Sequence, residues 1–126
     1  MAKLLIEYTL VVPTLFPAAR TSSVNGAAVD RAVAGGNQEA IVAVVIGSIS
    51  DGSHAVSVED SDDGLSGWAA VPSAQLQGAS PTIGSADDNK VFEVGVAVTR
   101  RFLRATITTT GAITGGTIGA VIVLGE

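Results

Sequence analysis

Apolar and polar residues alternate along this chain in short runs, separated by Gly, Asn, Asp and Ser. With abundant Val, Ile and Thr, the pattern predicts strands rather than helices. Residues 4–12 form the first predicted strand, stopped by Pro13, with Pro17 allowing only an extended or turned continuation. Asn25-Gly26 marks a turn, and Gly35-Gly36-Asn37 a break. Residues 39–46 are almost continuously apolar, as expected of a strand covered on both faces or lying centrally in a sandwich. Asp51-Gly52 is a loop tip before the alternating run 54–60, so these two runs read as a hairpin with a longer loop. Ser73 is placed to cap a single helical turn over 73–77. Runs 91–98 and 102–109, separated by Thr99, Arg100 and Arg101, read as a tight hairpin, and 117–124 is the last strand. Thr106, Thr108 and Thr110 oppose Ile107, which predicts a wet or interface face there.

The expected fold is therefore all-β, a compact β-sandwich or jelly roll of about seven or eight short antiparallel strands. Residues 18–126 make one domain, and residues 1–17 are either an extended arm or an edge strand. A length of 126 residues suits one core, here built from Val, Ile, Leu and Ala because only 4% of the chain is aromatic. The absence of cysteine removes disulfides, thiolate metal sites and Cys nucleophiles.

Charge changes the picture. Only 15% of residues are charged, against roughly 25–35% on an ordinary soluble surface. Residues 8–19 and 105–125 carry no charge at all, so subunit or partner contacts are expected at the two ends of the chain. A net charge of −5 argues against nucleic acid, whose binding draws on clustered Lys and Arg. The apolar runs are far shorter than the roughly eighteen residues of a membrane-spanning helix. Glu7 and Tyr8 interrupt the first of them, so neither membrane insertion nor an export signal is expected.

Candidate chemistry is sparse. His54 is the only histidine and reads as an exposed residue at a strand start rather than a catalytic base. Asp60, Asp62, Asp63 and Gly64 miss the calcium-loop spacing and read as a turn whose carboxylates cap backbone N–H groups. Asp87, Asp88 and Asn89 read as a solvated loop tip. Arg101 and Arg104 point to opposite faces and are expected to pair across strands, with Glu93 or Glu59 as partners. Gly115-Gly116-Thr117 lacks the Lys and helix of a phosphate loop. No catalytic, cofactor or metal residues are expected, and the chain is not expected to be an enzyme.

The succession of Ser22–Asp30, Asp51–His54, Val58–Gly64 with Trp68 and Val71, Val94-Gly95 and Arg101–Arg104 resembles the capsid decoration, or cement, proteins of tailed bacteriophages. This resemblance implies a homotrimer on the capsid exterior of the virion, made in the bacterial host, with the major capsid protein as its partner. It implies a structural role, stabilising the mature shell by bridging capsomers. The apolar N-terminal stretch supplies the candidate capsid or subunit contacts: Leu4, Leu5, Ile6, Tyr8, Leu10, Val12, Leu15 and Phe16. The alternative is a carbohydrate- or host-surface-binding sandwich in which Trp68, Asp62 and Asp63 meet a sugar, since Trp68 can either stack on a ligand or plug the core.

Overall fold

The computed structural model describes residues 9–34, 39–97 and 100–125. They form an all-β sandwich of two antiparallel sheets. The five-stranded sheet has the spatial order β1 (Thr9–Arg20), β11 (Gly116–Gly125), β4 (Glu39–Ile49), β9 (Val91–Val96), β7 (Leu76–Gln77). The six-stranded sheet is centred on β10 (Phe102–Thr110) and β5 (Ser53–Ser61). There β2 (Val24–Asn25) and β3 (Val29–Asp30) pair with β10, while β6 (Ala69–Ala70) and β8 (Thr82–Ile83) pair with β5.

Period-two alternation places one side of each sheet in the core. Val42, Val44 and Ile46 of β4 and Ile118, Ala120, Ile122 and Leu124 of β11 are buried against Val56 and Val58 of β5 and Leu103, Ala105 and Ile107 of β10. The packing is aliphatic, with Phe92 only partly buried at its margin.

Both expected hairpins are absent. β4 and β5, although consecutive, belong to different sheets, and so do β9 and β10. Alternation reports which residues share a face; it does not report which strand lies alongside. The break expected at Pro13 is also absent, because β1 continues through Pro13 and Pro17 to Arg20. β1 is an edge strand, where proline is tolerated, and register shifts between Pro13 and Leu15 and between Leu15 and Ala18 absorb the irregularity. A boundary between residues 17 and 18 therefore falls inside β1. Leu4, Leu5, Ile6 and Tyr8 lie outside the described residues. Of the other N-terminal candidates, Leu15 is 4% exposed and belongs to the core, Val12 packs against it, and Leu10 and Phe16 reach solvent. Both edges of the uncharged C-terminal strand are taken, since β11 is hydrogen-bonded by β1 and β4, and it meets its surroundings through side chains such as Val121 and Val123. The turn at Ser73–Gln75 is a short 3-10 turn that receives no side-chain cap, and Leu76-Gln77 continues as β7.

Thr14 joins the two sheets at the β1 edge. Its buried hydroxyl donates to the Ala27 carbonyl at 2.8 Å and accepts the Ala105 N–H at 3.2 Å. Its own carbonyl accepts the Ala27 N–H, and Gly26 N–H donates to Ala105 O. Gly26 is required by close approach, since a Cβ there would lie 2.5 Å from the Ala105 carbonyl oxygen and 2.8 Å from that of Thr14. Thr14→Val keeps the shape but strands the buried Ala105 N–H, and is expected to cost about 2 kcal/mol. Gly26→Ala, which must displace backbone, is expected to cost more. Urea denaturation checks both; midpoints equal to wild type would show that this junction does not hold the sheets together.

Candidate interaction face

The two outer faces of the sandwich differ in chemistry. On the six-stranded sheet, outward residues pair as Arg104 with Glu59, Thr106 with Ser57, Thr108 with Ala55 and Thr110 with Ser53. This face is polar, and Ile107 points inward as its alternation with the threonines requires. Thr106 is itself covered, only 7% exposed, while Thr108 and Thr110 are open.

On the five-stranded sheet the outward residues are aliphatic. Register places Val11, Val123, Ile41, Gly95 and Gln77 in one row across the strands. Pro13, Val121, Ala43 and Glu93 form the next, and Val45 and Val91 a third, in which Gly119 of β11 is covered by Pro17. Val11 is 58% exposed, Val91 57%, Val45 48% and Ile41 41%. Glu93 carries the single charge in these rows. It lies on β9 beyond the reach of the two-residue β7, which pairs only with Val96 and Gly95, so the carboxylate stands at the margin of the sheet. The nearly continuous apolarity of β4 thus has its physical account: its inward residues fill the core, while Ile41, Ala43 and Val45 form an exposed aliphatic face. At one end of that face a hollow of about 410 Å³ is bordered by Ile41, Val123, Gly95, Gln77, Thr9 and Glu39.

Polar groups that could carry chemistry are engaged with the fold. His54 is fully buried, not exposed. Its Nε2 lies 3.1 Å from the Asp51 carbonyl oxygen, which can only accept, and its Nδ1 lies 2.9 Å from Thr109 Oγ1. The missed clue is parity: His54 shares its strand face with Val56 and Val58. The Asp51 carboxylate accepts N–H groups of Ile113, Thr114 and Gly115, the last at 2.6 Å. Those bonds, Gly115 first, lower its pKa. The Asp63 carboxylate accepts the N–H groups of Leu65 and Ser66, both at 2.9 Å, and is pulled down to about 2, chiefly by the Ser66 N–H. Asp87 accepts the Gly84 N–H and pairs with Lys90, and Asp88 accepts the Ile49 N–H at 2.8 Å. This loop tip is therefore tied to β4 rather than merely solvated.

The arginines are paired. Arg104 meets Glu59 at 2.7 Å, as expected, while Arg101 takes Asp30 at 2.8 Å and Arg100 takes Asp60 at 2.9 Å and Asp62 at 3.5 Å. Arg101 lowers the pKa of Asp30 through their hydrogen bond. Trp68 is half-buried, and the Arg104 guanidinium stacks on its ring 4.2 Å from the centroid. Trp68, Asp62 and Asp63 do share one loop region, but Arg104 occupies a face of the indole and the turn occupies the Asp63 oxygens. Among the described residues no group of three or more His, Asp or Glu side chains is placed to hold a metal ion, and no helix is long and apolar enough to cross a membrane.

No protein-family model matches the chain, and no curated protein matches it. Among solved structures, the fold is similar to that of the PBSX exported protein XepA, with a TM-score of 0.62 and 15% identity over 93% of this chain and 37% of that one. The chain thus spans a little over a third of that protein's length, and at this identity the likeness concerns the fold.

The depressed carboxylates set the acid response. A carboxyl whose folded pKa lies below its ordinary value of 3.8 stabilises the fold above that value and loses this contribution as pH falls toward its folded pKa. Thermal melting is therefore expected to be flat from about pH 7 to 5 and to decline from about pH 4 toward 2. Asp63→Asn, which cannot titrate, should show a shallower decline; a decline identical to wild type would assign acid sensitivity to other groups.

Proposed function

We propose that the chain is a structural subunit of a phage particle, working by protein contact rather than catalysis. The observation that carries this reading is the aliphatic outer face of the five-stranded sheet, with Glu93 as the one charge in its three rows. A free acidic monomer has no use for such a face, and contiguous apolar surface of this kind marks contact with protein. The phage-related PBSX protein whose fold this chain shares supports a phage origin, as does the turn-and-strand resemblance to decoration proteins.

The finer reading is attachment to the outside of the capsid, with the major capsid protein as partner. Of the N-terminal candidates in β1, Leu10 and Phe16 reach solvent, the latter 69% exposed, and are the contacts this reading assigns to the capsid. Binding that favours the mature shell over its precursor stabilises the former by mass action, and repeated weak contacts gain strength through avidity. The sugar-binding alternative is less favoured, because Arg104 already stacks on one face of the Trp68 ring and the turn engages the Asp63 oxygens.

Purified mature particles of a phage carrying this gene are expected to contain the chain, and added protein is expected to sediment with expanded shells. Phe16→Ser should weaken that binding about tenfold, as loss of one well-packed aromatic contact does. Failure to sediment with any shell, together with absence from particles, would refute the capsid reading.

A further inference from the structure

We propose that Asn25-Gly26 is a self-modification site, an asparagine that converts to isoaspartate, and that the junction between the two sheets gates it. The conversion is held off while β2 lies on β10 and proceeds when β2 lifts, and its isoaspartyl product bars the junction from closing again. The site is independent of the capsid reading.

The chemistry needs only this chain and water. The backbone nitrogen of the residue after an asparagine gives up its proton to hydroxide and attacks the side-chain Cγ. An N–C bond forms, the Cγ–Nδ2 bond breaks, and the nitrogen leaves as ammonia after taking a proton from water. Water then opens the resulting five-membered imide at either carbonyl. One product is aspartate; the other is isoaspartate, in which the main chain runs through Cβ and Cγ and is longer by a methylene. Asparagine is among the thermolabile residues. Glycine in second place favours the attack because no Cβ obstructs it. Of Asn25, Asn37 and Asn89, only Asn25 precedes glycine. Asn25 is exposed, so water and hydroxide reach it. Asp51-Gly52 and Asp63-Gly64 have the same spacing, but their carboxylates accept backbone N–H groups and stay ionised, and a carboxylate resists nucleophilic attack.

The fold restrains the attacking nitrogen. Asn25 ends β2 as the register partner of Thr106, and the Gly26 N–H donates to the Ala105 carbonyl at 2.8 Å. Removing that proton in place would set a nitrogen anion against a carbonyl oxygen, and the hydrogen bond would become a repulsion. Swinging the nitrogen round to Cγ turns the Gly26 peptide, which breaks this bond and pulls on the next, from Ala27 N–H to Thr14 O. Thr14 Oγ1 holds the Ala27 carbonyl, and Ser23 Oγ accepts the Thr109 N–H, so the segment is fastened on both sides of Asn25.

This latch is local. β2 is two residues long and meets β10 at Thr106 and Ile107, and most residues from 21 to 28 are exposed. Few buried contacts oppose its lifting, as in segments that open well below the free energy of global unfolding. Reclosure after modification is different. The extra methylene falls between the Asn25–Thr106 pair and the Gly26–Ala105 bond, so the two cannot form in register together. Gly26 has no room to shift and absorb it, since even a Cβ there would lie 2.5 Å from the Ala105 carbonyl oxygen and 2.8 Å from that of Thr14. The aspartyl product keeps the main chain unchanged and adds only an exposed charge, so it leaves the junction able to close.

The test incubates the full chain at mildly alkaline pH and follows the peptide of residues 21–31, released by cleavage after Arg20 and Arg31, in which Asn25 is the only asparagine. Mass spectrometry reads conversion, and electron-transfer fragmentation separates isoaspartate from aspartate. Conversion in buffer is expected to be at least about a hundredfold slower than in unfolding urea, and to rise with urea already below the unfolding midpoint. Thr14→Val, which weakens the latch, should convert roughly tenfold faster than wild type in buffer. Asn25→Asp is expected to melt as wild type does, whereas isoaspartyl chains from a urea-aged sample are expected not to regain the native melt once urea is removed. Equal rates in buffer and in unfolding urea would overturn the gate, and a rate that stays flat until global unfolding would overturn its local character. Isoaspartyl chains that melt as wild type would overturn the bar on reclosure.

Discussion

Side chains leave a strand alternately to its two sides, so every residue that β4 and β11 commit to the core commits its neighbour to the opposite surface. The second sheet covers one side only. Val42, Val44, Ile118 and Ile122 are buried by β5 and β10, and their outward neighbours Ala43, Val45 and Val121 lie on the other side with the same aliphatic character. A chain selected only for folding would place polar residues at those positions, as β5 and β10 do with Ser57, Glu59, Arg104 and Thr108.

The few charges this chain does have are largely paired or bonded to backbone. Arg100, Arg101 and Arg104 each hold a carboxylate, and Asp51, Asp63 and Asp87 cap backbone N–H groups in loops. Exposed ion pairs add little stability individually. Their effect here is positional. Asp51 ties the 113–115 loop to the end of β4, and the buried His54 holds the same corner from below through the Asp51 carbonyl. The low charge content and the engaged polar groups together set off the aliphatic sheet face from the rest of the described surface.

Much of this was legible in the residues. β-branched alternation located most of the strands, the apolar run at 39–46 marked the middle strand of its sheet, and Asp-Asp-Gly was a capped turn. The sheet partners were not legible, because a strand entering one sheet and a strand entering the other show the same period of two; β4–β5 and β9–β10 were therefore misread as hairpins. Pro13 was misread as a stop because edge position, which makes proline tolerable, is a property of topology. His54 was readable as buried from its parity with Val56 and Val58, but its polarity suggested the surface. The outer face was half legible: the uninterrupted apolarity of β4 was readable, while its exposed aliphatic rows come from register across strands far apart in sequence.

The pairing of β1 with β11 sets how the domain bears load. Thr9 is the register partner of Gly125, so the two ends of the described chain leave adjacent strands at the same end of one sheet. Tension applied between those ends opens the β1–β11 ladder one hydrogen bond at a time, as a zip, instead of shearing all its bonds together. Pulled through its ends, the sandwich yields at low force from the β1 edge inward; pushed or pulled through its sheet faces, it resists as a packed block. Attachment through faces and edges rather than through its termini is the arrangement in which this fold is mechanically strong.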